Sequence, residues 1–331
     1  MARIKSLGIV IPTYNGSHRI QKTLKSIHDM QRDSTITLKI YLIDNNSDPA
    51  HSIEYKNITE EFKSSMDVRY MFEPKQGRSH ALNTGISASP DDVLAFVDDD
   101  ETVDASWANV ILKYLSSPSL SYIGGACLPN WHATPPRWLP AHEGKYRGVL
   151  GWIELSDMDL DFNTEGIELC GGNFAIKRSD LIQAGAFNTS LGRSSNNLMG
   201  GEDGDLHRRL KNLSLKGVYT PSLIIYHDIP TSRMTFKYHS RWSFWSGFSH
   251  GVRLATLTGA DAGLRKIAGI PLYLINKGLR GALTLAASIM KLQLLKDPVG
   301  ACGLMDASYS VGVIFGRFSK TNHKRRANIQ P

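Results

Sequence analysis

The strongest constraint in this chain is its rhythm, in which aliphatic runs alternate with helical patterns over the first 126 residues. Residues 7–11 are unbroken aliphatic sequence up to Pro12, the pattern of a strand buried on both faces. Similar runs follow at residues 38–43, 68–72 and 93–97. Between them apolar residues recur at helical spacing. Ile20, Leu24 and Ile27 follow an Asn15-Gly16-Ser17 turn in which Ser17 is placed to cap. A second helix is predicted over residues 53–62, and a third, with Ala81, Leu82 and Ile86, after Gln76-Gly77-Arg78. Strand, helix and strand in repeated order predict an α/β domain with a mostly parallel sheet and helices on both faces. Ligands of such sheets bind beyond the carboxyl ends of the strands. Polar clusters stand at those ends: Thr13-Tyr14-Asn15, Asp44-Asn45-Asn46 and Asp98-Asp99-Asp100.

From residue 129 to 165 the pattern gives way to a Pro- and Trp-rich excursion (Trp131, Pro135, Pro136, Trp138, Pro140, Trp152), too apolar for plain disorder. Regular patterning returns at residues 168–177. A short helix follows near 180–184, then a Gly/Ser/Asn-rich loop over 192–201, a helix opened by Glu202-Asp203, and a last strand over 218–226. A length of 331 residues accommodates one large domain and a smaller unit. The expected division is a catalytic domain over 1–230, with halves meeting near 126, and a C-terminal segment over 231–331.

Charge supports that division. The overall balance is +7, yet residues 231–331 carry fifteen Lys and Arg against three Asp and Glu, a local +12, which leaves −5 for the rest. An acidic working domain is thus followed by a basic segment that suits an anionic partner. Residues 271–295 are rich in Leu, Ile and Ala but interrupted by Lys277, Arg280 and Lys291. No stretch there offers the ~20 uncharged apolar residues of a membrane span. Residues 266–296 are expected to form one or two amphipathic helices lying in a membrane interface. The competing expectation is that Leu272, Leu279, Leu283 and Leu294 pack on the main domain or on a second subunit. Cys127, Cys170 and Cys302 are scattered, which excludes a disulfide framework and suits a reducing compartment. Residues 1–5 run straight into strand-like sequence, so no leader is expected.

The chemistry concentrates at Asp98-Asp99-Asp100. Adjacent carboxylates repel, and ionise together only where a cation or a donor network compensates. A hard divalent metal bridging to phosphate oxygens is one such compensation; a solvated turn with capping aspartates is the other. Tyr14 offers a ring to a base, Asp44 a carboxylate to a nucleobase N–H, and Arg78 a guanidinium suited to phosphate.

Taken in order, seven segments resemble the motifs of bacterial family 2 glycosyltransferases. They are Val10-Ile11-Pro12-Thr13-Tyr14-Asn15, Ile43-Asp44-Asn45-Asn46-Ser47, Gly77-Arg78-Ser79-His80-Ala81-Leu82-Asn83, Phe96-Val97-Asp98-Asp99-Asp100, Gly171-Gly172-Asn173-Phe174-Ala175-Ile176-Lys177-Arg178, Gly185-Ala186-Phe187-Asn188 and Gly201-Glu202-Asp203-Gly204-Asp205. The resemblance spans about residues 6 to 250. It implies a GT-A fold, a nucleotide-diphosphate sugar donor, a divalent metal (Mn²⁺ or Mg²⁺) and inversion at the anomeric carbon. By that resemblance Thr13, Tyr14 and Asp44 contact the nucleoside, and Arg78 the diphosphate. Asp98, Asp99 and Asp100 supply donor and metal contacts, with Asp100 and Asp98 as ligands. Asp203 is the catalytic base, and His227 stands where some relatives place a further metal ligand.

Two departures refine the expectation. Processive members carry Gln-x-x-Arg-Trp, whereas Tyr238-His239-Ser240-Arg241-Trp242 lacks the Gln, which points to addition of a single sugar. The Pro/Trp excursion exceeds what a minimal member needs. Trp138 and Trp152, with Glu202, are therefore candidates for shaping an acceptor site. The expected partners are a nucleotide-sugar donor, a glycan or lipid-linked acceptor and an anionic membrane, with the protein on the cytoplasmic face of the plasma membrane and no nucleic acid bound. A sugar-phosphate nucleotidyltransferase would also join a nucleotide-binding α/β domain to acidic ligands, but would need a Gly-rich basic loop where Pro12-Thr13-Tyr14-Asn15 stands. A non-catalytic nucleic-acid or polyanion binder is suggested only by the pI near 9.2.

Overall fold

In the computed structural model the described residues are 4–139, 144–163, 167–169, 171–194, 197–256, 265–267, 270–290 and 298–319. Pro140, Cys170, Lys291, Leu294 and Lys296, invoked above, lie outside them. The chain forms two compact units, each described by itself. The described residues of the first are those up to Asn130, 151–194 and Gly201–Asp228; those of the second are 131–150, 197–200 and 229–319.

The first unit begins with the alternation expected: β1 (Ser6–Thr13), α1 (Ser17–Asp29), β2 (Thr37–Asp44), α2 (Pro49–Phe62), β3 (Asp67–Phe72), α3 (Arg78–Ala88) and β4 (Val93–Phe96). Residues of β1 face two cores in turn, as a strand covered on both sides must. Leu7, Ile9 and Ile11 pack with Ile20, Leu24 and Ile27 of α1, while Val10 packs with Ala81 and Leu82 of α3. Ser17 does not cap. Gly16 is the residue before α1, and the Ser17 hydroxyl instead meets His51 Nδ1 at 2.8 Å.

The remaining elements are β5 (Glu101–Val103), α4 (Trp107–Leu115), β6 (Tyr122–Trp131), β7 (Leu160–Asp161), β8 (Phe174–Lys177), α5 (Arg178–Ala184), α6 (Glu202–Asn212) and β9 (Gly217–Ile229). The strand order is β3-β2-β1-β4-β8-β6-β9-β5, with β7 beside β9. β3, β2, β1 and β4 run parallel to one another; β8 runs antiparallel to β4 and to β6, and β5 antiparallel to β9. The sheet is therefore mixed rather than mostly parallel, because β8 enters antiparallel between β4 and β6. Register sets the site: Thr13 pairs with Asp44, and Glu101 with His227.

The second unit holds α7 (Phe236–Thr256), α8 (Leu272–Met290) and α9 (Pro298–Phe318). Contrary to the expectation of no span, α9 is long and apolar enough to cross a membrane, with mean hydropathy 1.3 over an 18-residue window, although Asp306 and Arg317 lie within the helix. Leu279 and Leu283 are exposed on α8 rather than packed, and Leu272 is half-buried.

Candidate active site

Side-chain amides and carboxylates tie the strand-end loops to one another. Asp44 is completely buried: its Oδ1 accepts the Ser47 N–H at 2.9 Å, and its Oδ2 accepts the hydroxyls of Ser52 at 2.5 Å and Tyr70 at 2.9 Å. Asn45 accepts the Gly77 N–H at 2.8 Å and donates to the Lys75 carbonyl at 2.7 Å, fixing the turn that launches Arg78. Asn83 exchanges two 2.8 Å hydrogen bonds with the backbone of Phe187. The Arg78 N–H and the Ser79 hydroxyl hold the 191–193 loop by its carbonyls at 2.9 and 2.8 Å.

The three adjacent aspartates coexist by pointing to three different partners. Asp99 turns inward, where it accepts a short 2.5 Å hydrogen bond from Thr13 and pairs with Arg19 at 3.0 Å. The Thr13 hydroxyl also meets the Tyr55 hydroxyl at 2.8 Å, and Tyr55 accepts the Gly16 N–H at 2.7 Å. Asp98 receives both Nε and Nη2 of Arg78, at 3.1 and 2.8 Å. Asp100 lies 3.6 Å from His227 Nε2, a placement fixed by the β5–β9 ladder and by the Asp228 N–H donated to the Asp100 carbonyl. Thr13, Asp44 and Asp99 are thus built into the frame, whereas Tyr14 presents an exposed ring.

Arg78 organises the remaining acids. Its Nη1 reaches Glu202 at 3.2 Å and Asp203 at 3.3 Å, so one guanidinium joins the acidic turn to the first turn of α6. Burial works against this charge, but Asp98, Asp203 and Glu202 outweigh it and hold Arg78 well above its ordinary value. Burial pushes the Asp203 carboxyl up to about 7; Arg78 opposes the rise, and Glu202 and Asp98 add to it. A carboxylate poised near neutrality suits proton abstraction.

Gly171-Gly172-Asn173 builds the floor beneath these acids. A Cβ on Gly171 would run into the Asp203 carboxylate, and one on Gly172 (φ +92°) into that of Glu101. Asn173 is buried, donating to the Ala126 and Leu223 carbonyls at 2.7 and 2.8 Å and accepting Trp107 Nε1–H at 2.9 Å. Glu101 was missed from the sequence, although it directly follows the aspartates. Its Oε2 accepts the Asp98 N–H at 2.8 Å, and burial beside Asp98 and Asp100 pushes its carboxyl well above the usual range. Arg19 and Tyr55 were missed too, because only tertiary contact brings them to Asp99 and Gly16.

The donor set fits a hard divalent cation in part. Asp100 and His227 face each other at a separation that two ligands of one small ion can keep, and oxygen with imidazole suits Mn²⁺. Gly151 (φ +67°) leaves room for the His227 ring, which a Cβ would meet at 2.7 Å. Asp98 is turned to Arg78, and among the described residues no three His, Cys, Asp or Glu side chains form a ready cluster. Trp152 is half-buried beside the Cys127–Ile153 bridge of the first unit. Trp138 belongs to the second unit, stacked on Phe236 at 3.9 Å with His239 edge-on at 5.5 Å.

The family model for glycosyl transferase family 2 matches residues 8–184, more than half of the chain. The chain belongs to that family. This glycosyltransferase is 24% identical over 237 residues to the succinoglycan biosynthesis protein ExoM of Rhizobium meliloti, covering 71% of each chain. It is 22% identical over 253 residues to a glucosyl-dolichyl phosphate glucuronosyltransferase of Haloferax volcanii, covering 74% of this chain and 76% of that one. A Pyrobaculum calidifontis mannosyltransferase, solved with GDP-Man and Mn²⁺, superposes with a TM-score of 0.63 at 16% identity, over 96% of this chain and 88% of that structure. That likeness establishes the GT-A fold. A glycosyltransferase assignment sets aside the nucleotidyltransferase and polyanion-binder alternatives.

Proposed function

We propose that this glycosyltransferase moves one sugar, with inversion, from a nucleotide-diphosphate sugar to a hydroxyl of a growing polysaccharide or lipid-linked glycan. The observation that carries the reading is Arg78, which joins Asp98 of the acidic turn to Asp203 of α6. Asp203 takes the proton of the acceptor hydroxyl on a carboxylate oxygen while the hydroxyl oxygen attacks the anomeric carbon. The bond to the donor diphosphate breaks with its electron pair leaving on the phosphate, and a single displacement of this kind inverts the centre. Arg78 lies between the two carboxylate groups and offers its guanidinium to the departing diphosphate. Bound Mn²⁺ or Mg²⁺, held by Asp100 and His227 with Asp98, would supply further neutralisation of that charge. Tyr14 faces the nucleobase, while Thr13, Asp44 and Asp99 hold its loop in place. Glu202 positions Arg78.

The names of the two curated relatives support an acceptor in polysaccharide or lipid-linked glycan synthesis. Residues 1–230 act as the catalytic domain, and the basic residues 231–331 bring it to an anionic membrane, the cytoplasmic face of the plasma membrane. Two variants test the assignment. Asp203→Asn keeps donor affinity while turnover falls on the order of 10²–10⁴-fold; Asp100→Ala loses Mn²⁺-dependent nucleotide binding. Undiminished Mn²⁺-dependent binding in Asp100→Ala, or full turnover in Asp203→Asn, refutes it.

A further inference from the structure

The second unit is built unlike the first. Its helices approach through glycine rather than through large side chains. Gly247 and Gly251 of α7 lie on the backbone of α9 at Tyr309 and Val313, and Gly312 and Gly316 of α9 lie on α7 at Phe244 and Phe248. These are two Gly-x-x-x-Gly pairs facing each other. Gly281 of α8 and Gly303 of α9 meet in the same way: a Cβ on either would stand 2.8 Å from the other's carbonyl oxygen. Backbone-to-backbone packing through small residues is the mode that helices use where lipid surrounds them.

The outer face of α8 matches that setting. Leu279, Leu283, Ala286 and Met290 follow one another at steps of four, three and four, one stripe of a helix, and all are exposed; Leu283 is 71% and Met290 78% accessible. Ala282 and Ile289 widen it, while the opposite face buries Leu274, Gly281 and Ser288. The helix has no acidic residue and two basic ones. Lys277 is drawn inward to Asp306 at 3.2 Å, which leaves Arg280 exposed beside the stripe. Exposed Arg265 and Lys266 precede the helix, in a segment whose balance is +12. An apolar stripe with cations at its margin complements an anionic bilayer.

We infer that the Leu279–Met290 face of α8 inserts into the headgroup–acyl boundary of an anionic bilayer, with the three-helix layer lying in the membrane plane instead of crossing it. This rests on the proposal that the enzyme meets its acceptor at such a membrane. A crossing arrangement is disfavoured by α7, whose exposed Lys237, Arg241 and Arg253 would have to enter hydrocarbon. The layer is thus amphipathic as a whole: α9 packs against both neighbours, with basic α7 along one side and apolar α8 along the other.

The full chain is tested by co-sedimentation with phosphatidylcholine vesicles holding from none to about 30% phosphatidylglycerol. Binding is expected to rise with phosphatidylglycerol and to weaken, without vanishing, as salt increases. Leu279→Ser combined with Leu283→Ser should bind on the order of a hundredfold more weakly, and Arg280→Gln about fivefold. Both substitutions lie on solvent-facing positions, and unchanged circular dichroism and unchanged Mn²⁺-dependent nucleotide binding separate a loss of docking from a loss of fold or of the catalytic reading. As an independent measurement, Leu283→Trp should be quenched by acyl-chain-brominated lipid, whereas Leu213→Trp at the end of α6 should not. Equal quenching of the two, or full vesicle binding by the double serine variant, would overturn the inference.

Discussion

Gly171→Ala isolates the positioning of the proposed base from every other function of the site. What requires glycine is Asp203: a Cβ would stand 2.7 Å from its Cγ and 2.8 Å from its Oδ1. Ordinary van der Waals contact begins near 3.4 Å and the Oδ2 atom of Asp203 would stand nearer still than its Cγ, so the carboxyl must retreat by about 1 Å. Arg78 and the first turn of α6 limit how it does so. Misplacement of a reacting group by about 1 Å costs on the order of 10²-fold in rate, which is about 2.7 kcal/mol of activation free energy. Turnover is expected to fall by roughly that factor, measured as Mn²⁺-dependent nucleotide release from saturating donor and acceptor. Donor affinity should be unchanged, because the clash falls on the Asp203 carboxylate. Gly204→Ala is the control: its Cβ would sit at an ordinary 3.5 Å from Glu168, within α6, so it should preserve rate and add helix stability of up to about 1 kcal/mol. In the background of Asp203→Asn, Gly171→Ala should add almost nothing. Turnover within twofold of wild type, or an undiminished extra loss on top of Asp203→Asn, would show that the floor beneath Asp203 does not set the base.

Two further outcomes follow from buried polar groups. Asn173→Ala strips hydrogen bonds from two carbonyls and the Trp107 indole N–H, and should destabilise the first unit by roughly 2–4 kcal/mol; unchanged urea unfolding, followed by tryptophan fluorescence, would refute this. His207 is buried against Tyr122 and Phe162 and accepts the Leu169 N–H on Nδ1 at 3.1 Å, and burial, aided by Lys211, lowers its pKa from 6.5 to about 4. The unfolded chain therefore binds the extra proton first as pH falls, so this contribution is complete above 6.5 and is lost toward 4. At pH 5 the loss is about 2 kcal/mol, read as the difference in pH dependence between wild type and His207→Gln, whose amide can still accept the Leu169 N–H. Parallel stability curves for the two proteins would disprove it.

The strand–helix alternation was legible because burial on both faces leaves an aliphatic signature that survives without tertiary knowledge. Residues 7–11 and 38–43 grew into β1 and β2 by a residue or two at each end. The antiparallel half was not legible, since nothing local in residues 174–177 says that β8 joins β4 on one side and β6 on the other. The cap at Ser17 failed for a tertiary reason as well: His51 takes the hydroxyl, and Tyr55 takes the Gly16 N–H. Within the acidic turn, residue type announced the chemistry but not its partition. Only the fold shows Asp99 turned inward to Arg19 while Asp98 and Asp100 turn toward Arg78 and His227.

That partition changes how the family motifs are to be understood. Most of their polar residues fasten one loop to another: Asp44 to its own turn and Tyr70, Asn45 to Gly77, Asn83 to Phe187, Asn173 to Ala126 and Leu223. Such amides satisfy backbone groups that strand ends leave open, and each joins segments tens of residues apart, which fixes the loops without a hydrophobic core between them. The chemistry then falls to a much smaller set. Arg78 is the cation shared by Asp98, Glu202 and Asp203, with Asp100 and His227 alongside. One guanidinium facing three carboxylates leaves the cluster short of positive charge, and a diphosphate arriving alone would deepen that deficit. Donor and divalent cation are therefore expected to bind as a pair, each relieving the repulsion that the other would meet. Burial raises the Asp203 carboxyl to about 7, and Glu202 and Asp98 add the same deficit to that rise. Charge placement, more than any single contact, couples donor loading to the carboxylate that must accept the proton.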